Sequence, residues 1–450
     1  MRKSYSNLYQ REQTQAVQLN SLGGILQKQG KNEEAIVTFE RQIKIAESLN
    51  DQQSLAIGLN CLGGIFQQQG RLEDAIVTFE RQIKITESVN DQQSLAIGLN
   101  RLGGIFQQQG RLEEAIVTFE RQIKIAESLN DQQSLSIGLN CLGGLFQQQG
   151  RVEEAIAAFE RQIKIDESLN DQKSLSMGLN CLGGLFQQQG RVEEAIVIFE
   201  RQIKIDESLN DQKSLSMGLS AFGKCLSQKG DFFNAINTLR RLIVVNTNAG
   251  NIARKIKSQA HLENELYVIE RKCDVKTAEL IFRESYDSAF KEKDLFAQML
   301  INNILGELFS KQKGDENISL SNMNFANSIK IAKEIEAPEH LCKFHIIWGN
   351  KLIHHGKLED ALTQLNQAFD IEERLGMINR HRLRSILSSL TNILTRLGRH
   401  PEVLEYFDQA IVVTQNHPAL IEQRESFVRS LSSSKKPVLK KKVDLDRTLS

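Results

Sequence analysis

Residues 91–130 read DQQSLAIGLNRLGGIFQQQGRLEEAIVTFERQIKIAESLN, and this 40-residue unit decides the fold. In its first half Leu95, Leu99, Leu102 and Phe106 recur at i, i+4, i+7 and i+11, which is one face of a helix. Gly110 ends that helix, because glycine adopts the left-handed conformation that other residues avoid. In the second half Leu112, Ala115, Ile116, Phe119 and Ile123 mark another apolar stripe. Glu113 and Glu114 fall in its first turn, where carboxylates meet the positive end of the helix dipole. Glu120 and Lys124 stand four apart in the order that favours an ion pair. Asn130 and Asp131 supply the stop and the next cap. The unit therefore predicts a helical hairpin, with two helices of roughly 16–18 residues, each about 25 Å long.

Five near-copies of this unit fill residues 11–210. Residues 51–90 differ from 91–130 at four positions, and 131–170 differ from 171–210 at four. A period of roughly 20–50 residues marks a solenoid, in which each unit buries its apolar face only against its neighbours. One hairpin does not bury enough apolar surface to offset the ordering of its backbone, so stability should rise with copy number. Beyond Asn210 the pattern decays. Residues 211–250 keep Gly230 and Ala235 but have Ser220 in place of asparagine. Weaker hairpins follow at 253–292, 294–336 (with a loop insertion expected near Gly314–Ser321), 340–376 and 380–416. A last helix from about Ala419 to Leu431 would cap the stack. The expected division is a regular array over 1–250, divergent repeats with a capping helix over 251–431, and a disordered basic tail over 432–450.

Composition narrows the function classes. The chain carries 56 basic and 56 acidic residues, so no global field draws it to nucleic acid or an anionic membrane. Its six cysteines lack CxxC spacing and the framework of a small secreted domain, so free thiols in a reducing cytoplasm are expected. No apolar run reaches the roughly 18 residues of a membrane span, and no targeting segment is legible.

The order Leu99, Leu102–Gly103, Phe106, Gly110, Ala115, Phe119 resembles the signature of the tetratricopeptide repeat (TPR) family. The same set recurs as Leu59, Leu62, Gly63, Phe66, Gly70, Ala75 and Phe79, and the match covers 11–250 strongly. Gln122 departs from the family's usual small residue, and the unit exceeds the usual length by six residues. That length is similar to the longer subtype found in kinesin light chains, G-protein modulators and bacterial multidomain signalling proteins. The resemblance implies an all-α solenoid, a right-handed superhelix of stacked hairpins with the first helix of each lining the concave side.

Catalytic chemistry finds little support. Gly218 to Cys225 imitates a phosphate-binding loop, but Cys225 stands where the motif needs Ser or Thr, and the segment lies within a first helix. His340, His345, His354 and His355 lack metal-ligand spacing and read as surface histidines. No nucleophile–base pair or paired carboxylate emerges, so a non-enzyme without cofactor or metal is expected.

The groove carries the functional reading. With Leu99, Leu102 and Phe106 packed inward, the opposite face of the first helices presents repeated columns. Asn20, Asn60, Asn100, Asn140 and Asn180 form an asparagine ladder, flanked by an apolar stripe of Ile57, Ile97, Ile137, Met177 and Met217. Gln67, Gln107, Gln147 and Gln187 extend the same face. Asparagine both donates and accepts, so it pairs with a peptide bond in either sense. Its alternative role is a hydrogen bond to the neighbouring repeat. Gly64, Gly104, Gly144 and Gly184 leave room either for a ligand backbone or for close helix packing. The family's carboxylate-clamp set is absent here, since Arg101 is the only basic residue adjoining the ladder in the regular units.

The expected function is a protein–protein interaction scaffold that holds an extended peptide. The alternative is a regulatory arm acting on a separately encoded effector such as an NTPase. The first repeat begins near Arg11 without a capping helix, leaving an apolar end open to self-association or docking. Neutral charge without a basic stripe argues against nucleic acid as a partner.

Overall fold

The computed structural model describes residues 2–375, 379–415 and 417–434; the basic tail lies almost wholly outside them. Among the described residues there are 21 α-helices and no strand. The chain divides into two compact units, residues 1–259 and 260–450.

In the first unit the first helices of successive hairpins are α1 (Arg2–Lys28), α3 (Gln52–Gln68), α5 (Gln92–Gln108), α7 (Gln132–Gln148), α9 (Gln172–Gln188) and α11 (Gln212–Lys229). The second helices are α2 (Asn32–Ser48), α4 (Leu72–Ser88), α6 (Leu112–Ser128), α8 (Val152–Leu169), α10 (Val192–Ser208) and α12 (Phe232–Asn248). The punctuation follows the sequence. Asn90 and Asn130 take φ of 53° and 54°, Gly110 takes 74°, and the Asp91 carboxylate accepts the Ser94 amide at 3.0 Å. Chain reversal thus occurs where glycine or asparagine tolerates the left-handed conformation.

Packing within a hairpin rests on one glycine. The Phe119 ring of α6 is fully buried and sits so close to Gly103 of α5 that an added Cβ would lie 2.9 Å from Cε2. Packing between hairpins rests on a second pair. Gln122 of α6 is buried and donates Nε2 to the Ser134 carbonyl of α7 at 3.0 Å, while its Oε1 faces Gly138. The same contact recurs from Gln42 to Ser54 and from Gln82 to Ser94, each at 2.8 Å. Gln122 therefore clamps one unit to the next, which accounts for a long polar side chain at this position.

Two sequence expectations about this unit are corrected. Glu120 and Lys124 make no ion pair; instead the arginine of one second helix pairs with a glutamate of the preceding second helix, as in Arg161 of α8 with Glu127 of α6 at 2.6 Å. Helix α1 starts at Arg2, so the helix extends ahead of Arg11 rather than beginning there.

The second unit continues the alternation. The division falls within α13 (Ile252–Lys272), and α14 (Val275–Lys291), α15 (Leu295–Ser310), α16 (Asp315–Glu334), α17 (Pro338–His354), α18 (Leu358–Arg374), α19 (Arg380–Arg396), α20 (His400–Val413) and α21 (Pro418–Ser434) follow. Gly306 packs on Phe325 and Gly349 on Leu365, so the hairpin contact survives the sequence drift. Pro338 and Pro401 open α17 and α20, where a missing amide hydrogen is harmless. The loop insertion expected near Gly314–Ser321 is not there. Gly314 turns the chain with φ of 112°, and α16 begins at Asp315 with two acidic residues in its first turn. His345 is buried and bonded to Gln364, so it is a core residue rather than a surface one.

Candidate peptide-binding face

The first helices of the first unit touch one another directly. Cys61 Sγ of α3 lies 3.9 Å from Asn20 Oδ1 of α1, and Gln27 Nε2 donates to Gln68 Oε1 at 3.2 Å. Their shared outer face is built from the columns read in the sequence. Asn20, Asn60, Asn100, Asn140 and Asn180 are half-buried. Ile57, Ile97, Ile137, Met177 and Met217 are exposed, between 42% and 50%. Gln67, Gln107 and Gln187 are half-buried and Gln147 is exposed.

The asparagine side chains are largely unused by the protein itself. Among the described residues, Asn100, Asn140 and Asn180 make no side-chain hydrogen bond, and Asn60 Oδ1 is buried without a partner. The long contact between Cys61 and Asn20 is the nearest approach to the inter-repeat bond considered as the alternative.

Beside them, Gly24, Gly64, Gly104, Gly144 and Gly184 have open space where a Cβ would stand. Close helix packing therefore does not explain this column, since the adjacent glycines at 63, 103, 143 and 183 perform that role. A depression of about 210 Å³ is lined by Asn60, Gly64, Gln67 and Arg101, among others. Helices α3, α5, α7 and α9 carry only Arg101 and Lys173 as charged residues, so the face is nearly uncharged.

At α11 the columns change identity. Ser220 replaces the asparagine and Lys224 replaces the open glycine. Both line a cavity of about 400 Å³ together with Asn180, Met217, Arg254 and Lys257. Lys224, Arg254 and Lys257 have no acidic partner within ion-pair distance among the described residues. The sequence reading overlooked this site; its signal was the lysine ending a column of glycines.

In the second unit the equivalent position is engaged internally through its donor, although Asn303 Oδ1, like Asn60 Oδ1, is buried without a partner. Asn303 of α15 holds the ladder register, and its Nδ2 donates to Glu307 Oε1 at 3.2 Å, which also accepts the Tyr267 hydroxyl at 3.1 Å. Burial raises the Glu307 carboxyl above the usual carboxylate range and the Tyr267 hydroxyl above its ordinary value. Lys311 pairs with Glu270, and Lys343 with Glu263. This face offers few free groups.

Two further features escaped the sequence reading. Asp166 is fully buried, with Ser136 Oγ at 2.5 Å and Gln162 Nε2 at 2.8 Å; Asp206 repeats the arrangement with Ser176 and Gln202. Desolvation raises both carboxyls above their ordinary value, against the opposing pull of these donors. All six cysteines are free, and burial pushes the Cys141 thiol up to about 11. The imitation phosphate loop at Gly218–Cys225 is interior to α11. Among the described residues no helix is long and apolar enough to cross a membrane.

A model of the tetratricopeptide repeat matches residues 13–88, 54–128 and 94–168. A model of anaphase-promoting complex subunit 5 matches residues 340–420. No curated protein matches the sequence. Similar solved structures include BtubC (BKLC) from P. vanneervenii, 20% identical, covering 49% of this chain and 92% of that one, with a TM-score of 0.45. A putative kinesin light chain with nearly identical TPR-like repeats from Podosopora anserina is 19% identical, covering 43% and 95%, at 0.38. A signal transduction ATPase with a tetratricopeptide repeat sensor from Pyrococcus horikoshii is 15% identical, covering 68% and 46%, at 0.44.

Proposed function

We propose, for a protein whose regular array belongs to the tetratricopeptide repeat family, that residues 1–259 bind an extended peptide along the face of their first helices. The observation that carries this reading is the column of half-buried asparagine amides at Asn60, Asn100, Asn140 and Asn180 that the protein leaves unpaired. A buried or half-buried amide without a partner is costly, and a peptide backbone supplies both the donor and the acceptor it lacks. The exposed isoleucine and methionine stripe adds apolar contact, and the open glycine column admits a main chain. The basic cavity at Lys224, Arg254 and Lys257 fits a carboxylate at one end of the ligand. The chain acts as a non-catalytic scaffold.

A peptide-display library selected on the full-length chain, with hits measured by calorimetry, tests the proposal. Asn100→Ala with Asn140→Ala should weaken selected peptides at least about tenfold, two lost hydrogen bonds at roughly 1 kcal/mol each, without lowering the unfolding midpoint. Unchanged affinity would remove the ladder from the site.

One observation favours the second reading, a regulatory arm docking a separate signalling effector. Leu22 and Ile25 are 46% and 52% exposed, whereas their equivalents Leu62 and Ile65 are buried. Gln18 stands where each later unit has the glycine that receives the preceding glutamine. Helix α1 therefore lacks the glycine socket by which each later first helix receives a glutamine, which sets its face apart from theirs.

A further inference from the structure

Building on the peptide-binding reading above, we infer that the ligand lies on the regular array as a left-handed polyproline II helix, advancing three residues per unit. The argument is one of commensurate spacing. Successive first helices touch, so the rungs of the ladder repeat at the packing distance of neighbouring helices, about 8–10 Å. The four rungs from Asn60 to Asn180 are nearly identical, with asparagine, isoleucine or methionine, and open glycine at each step, and the first rung differs only in carrying Val17 in the apolar stripe. A ligand that uses all of them must present the same group at the same spacing.

An extended strand fails this requirement. It rises about 3.3 Å per residue, so three residues match the step but turn the next side chain to the opposite face. Two residues keep the face but cover only about 6.6 Å. A polyproline II helix has three residues per turn and rises about 3.1 Å per residue, so each turn of about 9.3 Å restores the same face. Its chemistry fits as well. It has no internal hydrogen bonds, so its carbonyls are free to accept from the unpaired asparagine amides.

The nearly uncharged face selects an uncharged ligand, and the methyl-rich stripe of Ile97, Ile137 and Met177 suits pyrrolidine rings. Aromatic side chains are absent from the rungs, so recognition is of backbone carbonyls and contour rather than of stacked rings. The ligand class is a proline-rich, uncharged segment of protein. Five asparagine rungs at three residues each correspond to about 15 residues of ligand.

Fluorescence anisotropy with the full-length chain tests this, using dye-labelled (Pro-Pro-Gln)5 and a proline-free peptide of equal length, (Thr-Ser-Gln)5. The proline-rich peptide should bind at least about tenfold more tightly, because its conformation is already formed. Affinity should climb as Pro-Pro-Gln triplets are added up to five and then level off. Asn100→Ala with Asn140→Ala should reduce it. If (Thr-Ser-Gln)5 binds equally well or better and still responds to the asparagine changes, the polyproline geometry is wrong while the binding face stands. If neither peptide binds at millimolar protein, the inference is overturned, and the library-selected peptides judge the binding face separately.

Discussion

Gly103 and Gly104 are adjacent in α5, and the structure assigns them opposite responses to the same substitution. A methyl group on Gly104 meets nothing within 4 Å, whereas on Gly103 it would lie 2.9 Å from Cε2 and 3.0 Å from Cζ of Phe119. That ring is fully buried between α5 and its neighbours and has little room to retreat. Alanine in a helix interior is favoured over glycine by about 1 kcal/mol at either position. At Gly104 nothing opposes this gain, so Gly104→Ala should stabilise by about 0.5–1 kcal/mol. At Gly103 overpacking costs typically about 1–3 kcal/mol, which cancels or outweighs the gain. The two variants should therefore differ by about 1–3 kcal/mol, with Gly104→Ala the more stable. Urea unfolding followed by circular dichroism measures this as a shift of midpoint, the safer quantity for a repeat array whose transition is not strictly two-state. The binding assay adds a second axis. Gly104→Ala should weaken a bound peptide while strengthening the fold, since its methyl group occupies the open floor of the groove. A destabilised Gly104→Ala, or a Gly103→Ala variant of higher midpoint, would refute the assignment of one column to packing and the other to the ligand.

Three other outcomes are expected. Gly138→Ala should destabilise because its methyl group would meet Gln122 Oε1 at 2.1 Å; in the background of Gln122→Ala its cost should shrink, and additive unfolding energies would deny the clamp. The buried Asp166 and Asp206 have folded-state pKa values raised by desolvation, so the stability they confer is complete below the ordinary carboxylate pKa and is lost as pH rises through the folded value. Ser136→Ala with Asp166→Ala recreates the Ala96 and Ala126 pair of an earlier unit, and should stabilise at pH 7 by about 1 kcal/mol or more; a gain equal at pH 4 and pH 7 would remove titration as its cause. With its thiol pushed up to about 11 by burial, Cys141 should react with iodoacetamide at pH 8 much more slowly than an unfolded control, and equal rates would contradict the packing.

The local structure was legible residue by residue. The i, i+4, i+7 apolar spacing, Gly110, Asn130 and the Asp131 cap each sit where the unit's own sequence places them. Legibility declined where the copies diverged. At the start of helix α16 the sequence is ambiguous, because Gly314 and the polar run after it resemble an insertion while Asp315 and Glu316 favour a helix N-terminus. The buried Ser136–Asp166 pair was invisible because its partners are separated by 30 residues and neither is unusual on its helix.

By itself the sequence determined the hairpin, its period and its caps, since helix propensity, turn chemistry and apolar spacing act over a few residues. It also determined which side chains share the outer face of a first helix, because that follows from 3.6 residues per turn. Tertiary structure alone decided what those side chains meet. Of two neighbouring glycines it seated one beneath a phenylalanine and left the other open; it turned Gln122 into a clamp, left the ladder asparagines from Asn60 to Asn180 without a side-chain hydrogen bond, and gave Nδ2 of the equivalent Asn303 a partner in Glu307. Such outcomes depend on the distance between atoms on different helices, which packing sets and local spacing does not.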